Sequence, residues 1–148
     1  KKMLVNLGSQ MDGHEIVIKG SGNQVLPEGE VGELMVNGPS VAQGYYENKQ
    51  ATEDIFLQKI KGKEQPFLAT GDTALLWEGN LYFAGRIKDI IIIRGRNYYP
   101  HDIELVLSRV EELRPGCLMA YASGAENESE HLAVAVEVRA DLIKDMDV

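Results

Sequence analysis

Three short segments carry side chains whose types and spacing could do chemistry on a ligand. In Thr70-Gly71-Asp72 the glycine permits a tight turn between two strand-like runs, and such a turn can present Asp72 outward. A carboxylate so placed can accept two hydrogen bonds from vicinal hydroxyls, as acidic residues do on a nucleotide ribose. The same three residues also suit a turn whose aspartate satisfies its own backbone. In Gly85-Arg86-Ile87-Lys88-Asp89, two cations and an acid lie close together. Arg86 and Lys88 share a face if the segment is extended. They could then hold phosphate or ribose oxygens, with Arg86 as the bidentate partner; a solvated charged linker is the alternative. Arg94-Gly95-Arg96-Asn97-Tyr98-Tyr99-Pro100 joins a strand-like run to a helix-like one. Gly95 frees the backbone and Pro100 fixes the start of the helix. A loop of this kind at a helix N-terminus suits an anion, and it also reads as ordinary loop punctuation.

Other residue types offer less. His14, His101 and His131 lie far apart, without metal-ligand spacing, and no metal site is expected. Cys117 is the only cysteine, so no internal disulfide can form. It opens a predicted buried strand and reads as core. No Walker sequence, GxGxxG run or Gly-x-Ser-x-Gly elbow is present. Gly32–Gly44 reads as a strand and a glycine-bounded loop, structural rather than catalytic.

The elements that must position these segments are short. His14–Lys19, apolar at Ile16, Val17 and Ile18, and Glu33–Asn37 read as strands. Pro27-Glu28-Gly29 reads as a type I turn, with proline at i+1 and glycine at i+3. Thr52–Leu57 reads as a short helix, with Thr52 at the N-cap and Glu53 and Asp54 in its first turn. Ala74–Trp77 and Leu81–Gly85 flank Glu78-Gly79-Asn80, whose Gly-Asn pair signals a hairpin. In the second half, Asp89–Ile93 reads as a buried strand. A helix opens at Pro100. Its apolar stripe is Ile103, Val106, Leu107 and Val110, and Arg114-Pro115-Gly116 ends it. Cys117–Ala122 and Leu132–Val138 read as further strands, and Asp141–Val148 as the start of another helix. The pattern is mixed α+β: a β-rich module, a boundary near Gly85–Asp89, then a smaller α+β module. That second module would hold about 58 residues, near the lower limit for independent stability. The chain is therefore expected to be cut from something larger.

Composition narrows the function classes. Of 148 residues, 44% are hydrophobic and 26% charged, which fits a globular chain and excludes a disordered tail or a collagen-like fibre. The net charge of −8 supplies no field to draw nucleic acid or anionic lipid. The longest apolar run, Ile90–Ile93, is far too short to span a membrane. With the single cysteine, this points to a cytoplasmic or redox-indifferent chain.

Taken in order, the segments become specific. Gly32-Glu33-Leu34, Gly38, Ala42-Gln43-Gly44-Tyr45, Thr70-Gly71-Asp72, Gly85-Arg86-Ile87-Lys88-Asp89, and Gly95 with Pro100 and Ile103-Glu104 resemble the adenylate-forming superfamily. That superfamily comprises acyl-CoA synthetases, luciferases and nonribosomal-peptide adenylation domains. Gly38–Tyr46 and Ile90–Glu104, above all Arg94-Gly95-Arg96-Asn97 with Tyr99-Pro100, resemble its fatty acyl-AMP ligase branch. The resemblance covers about residues 12 to 138. It implies that Asp72 binds the ribose hydroxyls of ATP and of the acyl-adenylate. It further implies that Arg86 contacts the ribose and phosphate, and that Lys88 is the hinge of the carboxyl-terminal domain. Gly95, Arg96 and Asn97 would form a loop facing the nucleotide or the carrier arm. Residues 1–86 would be the last, β-barrel-like part of the large domain, 87–89 the hinge, and 90–148 the start of a lid domain. The parent would use ATP and magnesium to turn a fatty acid into acyl-AMP. It would pass the acyl group to an acyl carrier protein, or to a carrier domain of a polyketide or nonribosomal-peptide synthase. The phosphate-binding loop and the magnesium-ligating glutamate of the superfamily do not match this sequence. The resemblance also implies that the superfamily's catalytic lysine lies beyond Val148, and Lys144 has the wrong context to replace it. The chain alone is expected to be inactive. Two other readings stay open: an acyl-CoA synthetase of the same superfamily, and a binding module without chemistry.

Overall fold

The computed structural model describes residues 4–124 and 131–139. Asp141–Val148, with its predicted helix start and Lys144, lies outside the described residues. The chain divides into two compact units, Lys1–Ile87 and Lys88–Val148.

In the first unit, β1 (Val5–Gly8), β2 (Glu15–Lys19), β3 (Gly32–Asn37), β4 (Leu68–Trp77) and β5 (Asn80–Arg86) form one antiparallel sheet, ordered β1-β5-β4-β3-β2. Helix α1 (Lys49–Phe56) lies in the connection between β3 and β4. Strands β2 and β3 carry adjacent apolar residues because a packed cluster lies on each of their faces. On one face Val17, Met35 and Phe67 pack with Ile60. On the other, Ile18, Leu34, Ala74 and Leu81 pack with Leu26 and Leu76. Alternation along a strand sends neighbours such as Val17 and Ile18 to opposite clusters. Burying Phe67 and Met35 completely contributes roughly 1.5–3 kcal/mol each.

Several expectations change here. The sheet is open, with β1 and β2 as its edges and no pairing between them. A barrel needs edge-to-edge closure, so the barrel-like module is not found among the described residues. Strand β1, which the sequence reading did not foresee, is an edge strand held by β5 through Val5 opposite Phe83. Helix α1 starts earlier than Thr52. Asn48 caps it, accepting from the Ala51 amide at 3.0 Å, and its first turn holds no acid. Thr52 lies inside the helix, where its hydroxyl donates to the Asn48 carbonyl at 2.8 Å and accepts from the Tyr45 amide at 3.0 Å. In the Pro27 turn, the Glu30 amide donates to the Pro27 carbonyl, which puts proline at i and Gly29, at φ 84°, at i+2. The β4–β5 hairpin turns on Glu78-Gly79 rather than Gly79-Asn80. Trp77 pairs with Asn80, and both turn residues have positive φ, the mark of a type I′ turn.

A 3₁₀ turn, Ile87–Asp89, spans the boundary into the second unit and shortens the predicted strand to β6 (Ile91–Ile93). The expected Arg94–Pro100 loop is mostly structured. Arg94-Gly95, both at positive φ, turn β6 into β7 (Arg96–Tyr98), with Ile93 opposite Arg96. Helix α2 (Pro100–Leu107) does open on Pro100. It ends at Ser108, whose amide donates to the Glu104 carbonyl and whose hydroxyl donates to that of Leu105. The predicted stripe is therefore narrower: Ile103 and Leu107 are half-buried, Val106 is exposed and Val110 lies past the helix. Arg114-Pro115-Gly116 do not end the helix. They belong to β8 (Leu113–Ser123), in an irregular stretch where the register with β9 (His131–Val138) shifts between Leu113 and Leu118. There Arg114 donates to Glu137 at 2.5 Å. That hydrogen bond, with a second from the Cys117 thiol, holds the Glu137 carboxyl below the usual carboxylate range. Cys117 itself is half-buried rather than core. Among the described residues, no helix is long and apolar enough to cross a membrane.

Candidate functional site

Thr70-Gly71-Asp72 is not a turn between strands. It is a bulge inside β4. Thr73 pairs with Glu33 and Ala69 with Met35, so Thr70, Gly71 and Asp72 stand opposite the single residue Leu34. Gly71 takes φ 78°, and a Cβ added there would meet nothing within 4 Å. Glycine is needed at this position for backbone freedom, not for space. Thr70 pins the bulge from within. Its hydroxyl donates to the Leu34 carbonyl at 2.9 Å and accepts from the Asp72 amide at 3.1 Å. Sequence reasoning named Thr70 and Leu34 only as parts of motifs and missed their role in pinning the bulge. A glycine inside a strand pattern was the signal for a bulge.

The bulge sets Asp72 opposite Arg86, the last residue of β5. A second irregularity helps: Thr73 pairs with Gly85 and Ala74 with Phe83, leaving Ala84 as the extra residue of β5. The buried Thr73 hydroxyl ties the strands by donating to the Gly85 carbonyl at 3.1 Å. Arg86 Nε lies 3.6 Å from Asp72 Oδ1, with side-chain exposures of 71% and 31%. That separation is an ion pair but not a hydrogen bond. The carboxylate oxygens and the guanidinium N–H groups thus remain able to take a ligand's hydroxyls and anionic oxygens. A cis-diol fits the first and a phosphate oxygen the second.

Arg86 and Lys88 do not share the face of an extended strand, because the chain turns into the 3₁₀ segment at Ile87. Lys88, Gly95, Arg96 and Asn97 belong to the second unit, with Arg96 and Asn97 exposed on β7 beyond the Gly95 turn. His14 has a structural place, its Nε2 2.7 Å from Ser40 Oγ. Among the described residues, there is no group of three or more His, Cys, Asp or Glu side chains that could hold a metal ion.

No family model matches the chain. Curated relatives do. The chain is 37% identical over 139 residues to 4-hydroxyphenylalkanoate adenylyltransferase of Mycobacterium marinum, covering 90% of this chain and 22% of that protein. It is 40% identical over 123 residues to the medium-chain-fatty-acid–[acyl-carrier-protein] ligase JamA of Moorena producens, covering 80% and 20%. Among solved structures, it matches one from a study of fatty acyl-adenylate ligases of E. coli and L. pneumophila. That match has a TM-score of 0.74 and 32% identity, over 92% of this chain and 23% of that one. The chain spans about a fifth of the length of the curated relatives it matches.

Proposed function

Because the chain belongs to the adenylate-forming superfamily, we propose that it is the part of a fatty acyl-AMP ligase that holds the ribose of ATP and leads into a moving lid. In the first half-reaction a fatty-acid carboxylate attacks the α-phosphorus of ATP. The bond to pyrophosphate breaks, and acyl-AMP forms. In the second, a carrier-protein thiol attacks the acyl carbonyl and AMP leaves, taking the bonding electron pair. In both, Asp72 accepts hydrogen bonds from the two ribose hydroxyls, and Arg86 contacts the ribose and phosphate side. Lys88 is the hinge, and Gly95, Arg96 and Asn97 of the β6–β7 hairpin face the nucleotide or the carrier arm. No catalytic residue is assigned within the chain.

The observation that carries this reading is the pairing of Asp72 with Arg86. A bulge aims a half-exposed carboxylate, and a guanidinium beside it is held loosely enough to accept a ligand. The carrier as acyl acceptor draws support from JamA, whose name gives an acyl carrier protein as its partner. Changing Asp72→Ala in the full-length protein should remove two charge-assisted hydrogen bonds of about 1.5–3 kcal/mol each. The expected result is a rise of about a hundredfold or more in the KM for ATP, measured by ATP–pyrophosphate exchange. An unchanged KM and rate overturn the assignment.

A further inference from the structure

The segment between α1 and β4 departs from the acidic character of the chain. Lys59, Lys61 and Lys63 alternate through it, in a chain of net charge −8. It is not a loose loop. Gln58 and Phe67 close its base with two backbone hydrogen bonds, at 3.0 and 2.9 Å. Ile60 plugs its middle into the core beside Val17, Met35 and Phe67. The Lys61 amide donates to the Asn23 carbonyl at 2.8 Å, and the Lys63 amide closes a turn onto the Ile60 carbonyl at 3.1 Å.

With Ile60 turned inward, Lys59 and Lys61 are left exposed. Lys63 is paired with Glu15. Lys59 and Lys61 have no ion-pair or side-chain hydrogen-bond partner among the described residues. The three lysines and Glu64 border an open hollow of about 700 Å³ that also meets Leu57, Ile60 and Pro66. Leu57 is 46% exposed there.

We propose that this lysine-rimmed hollow docks the carboxylate-bearing surface of the acyl-accepting carrier protein. The proposal rests on the carrier reading above and adds where the carrier is met. Lysines are single-point charges on flexible stems. They suit long-range attraction to an acidic surface better than fork-like grip on one phosphate. An apolar floor inside a cationic rim fits a protein face rather than a small anion. A carrier must also arrive and leave in every cycle, and unpaired surface charges raise the association rate without making the complex long-lived. The loop runs directly into β4. Phe67 and Asp72 are five residues apart, at most roughly 18 Å of extended chain. A carrier seated there stays within reach of the ribose carboxylate for a flexible thiol-bearing arm.

The test uses the full-length protein with a phosphopantetheinylated acyl carrier protein as probe. Both half-reactions are measured for wild type, K59E/K61E and the control K49E, a charge reversal on exposed Lys49 of α1. In K59E/K61E the KM for the carrier should rise about tenfold or more and lose most of its salt dependence. ATP–pyrophosphate exchange should stay within about twofold of wild type, and K49E should behave as wild type. Normal exchange with an unchanged carrier KM overturns the docking site and leaves the carrier reading intact. An equal rise in K49E shows a general charge effect and also overturns it. A wild type that adenylates but loads no carrier overturns the carrier reading, and this proposal with it.

Discussion

Asp72 owes its aim to neighbours that carry no charge. The Thr70 hydroxyl bridges the Leu34 carbonyl and the Asp72 amide, and Gly71 supplies the left-handed residue between them. Thr70 is therefore a positioning residue. Thr70→Val keeps the shape but leaves both backbone groups one partner short, a cost of about 1–3 kcal/mol. The expected outcome is a lower melting temperature and a KM for ATP raised severalfold, less than in Asp72→Ala, with Thr70→Ser restoring both. A KM that stays at the wild-type value in Thr70→Val, despite the lower melting temperature, contradicts the positioning role. The residue types of this site could be read directly from the sequence: an acid after a glycine, and a cation near a second glycine. The pairing of Asp72 with Arg86 could not. It depends on a register set by two irregularities, one in β4 and one in β5, and each shifts which residues face one another.

At the scale of elements, apolar runs and turn residues located most strands. The errors came from local competition. Asn48 and Thr52 are both capping residues, and Asn48, the earlier of the two, starts the helix. Arg94-Gly95 reads as loop because an arginine at positive φ carries no sequence mark, yet it makes a hairpin turn like Glu78-Gly79. The 3₁₀ turn Ile87–Asp89 separates the two units at the boundary between Ile87 and Lys88. A 3₁₀ residue has φ near −60°, which proline also imposes. Lys88→Pro fixes φ at this position and restricts the change available to Ile87 before it. Adenylation should survive better than acyl transfer, as measured by pyrophosphate exchange and by carrier loading in the full-length protein. Equal loss of both half-reactions, with Lys88→Ala unimpaired in both, contradicts the hinge.

For the whole molecule, order along the chain carried more than any one motif. Thr-Gly-Asp or a Gly-Arg-x-Lys-Asp run alone is common. Their sequence, ending in Arg94–Pro100, points to one superfamily, and the relatives above match 80–90% of this chain at 37–40% identity. The barrel-like character of the first module is not found among the described residues, because closure depends on which edges meet and short strands do not encode that. The central claim concerns what the full-length protein makes and to what it gives the product. Incubating it with a long-chain fatty acid, ATP, magnesium and excess CoA, and identifying the acyl product by mass, tests that claim most directly. The account predicts acyl-AMP that persists beside unreacted CoA until a carrier protein is added. Acyl-CoA as the product would contradict the ligase assignment, and no adenylate of any kind would contradict the enzyme itself.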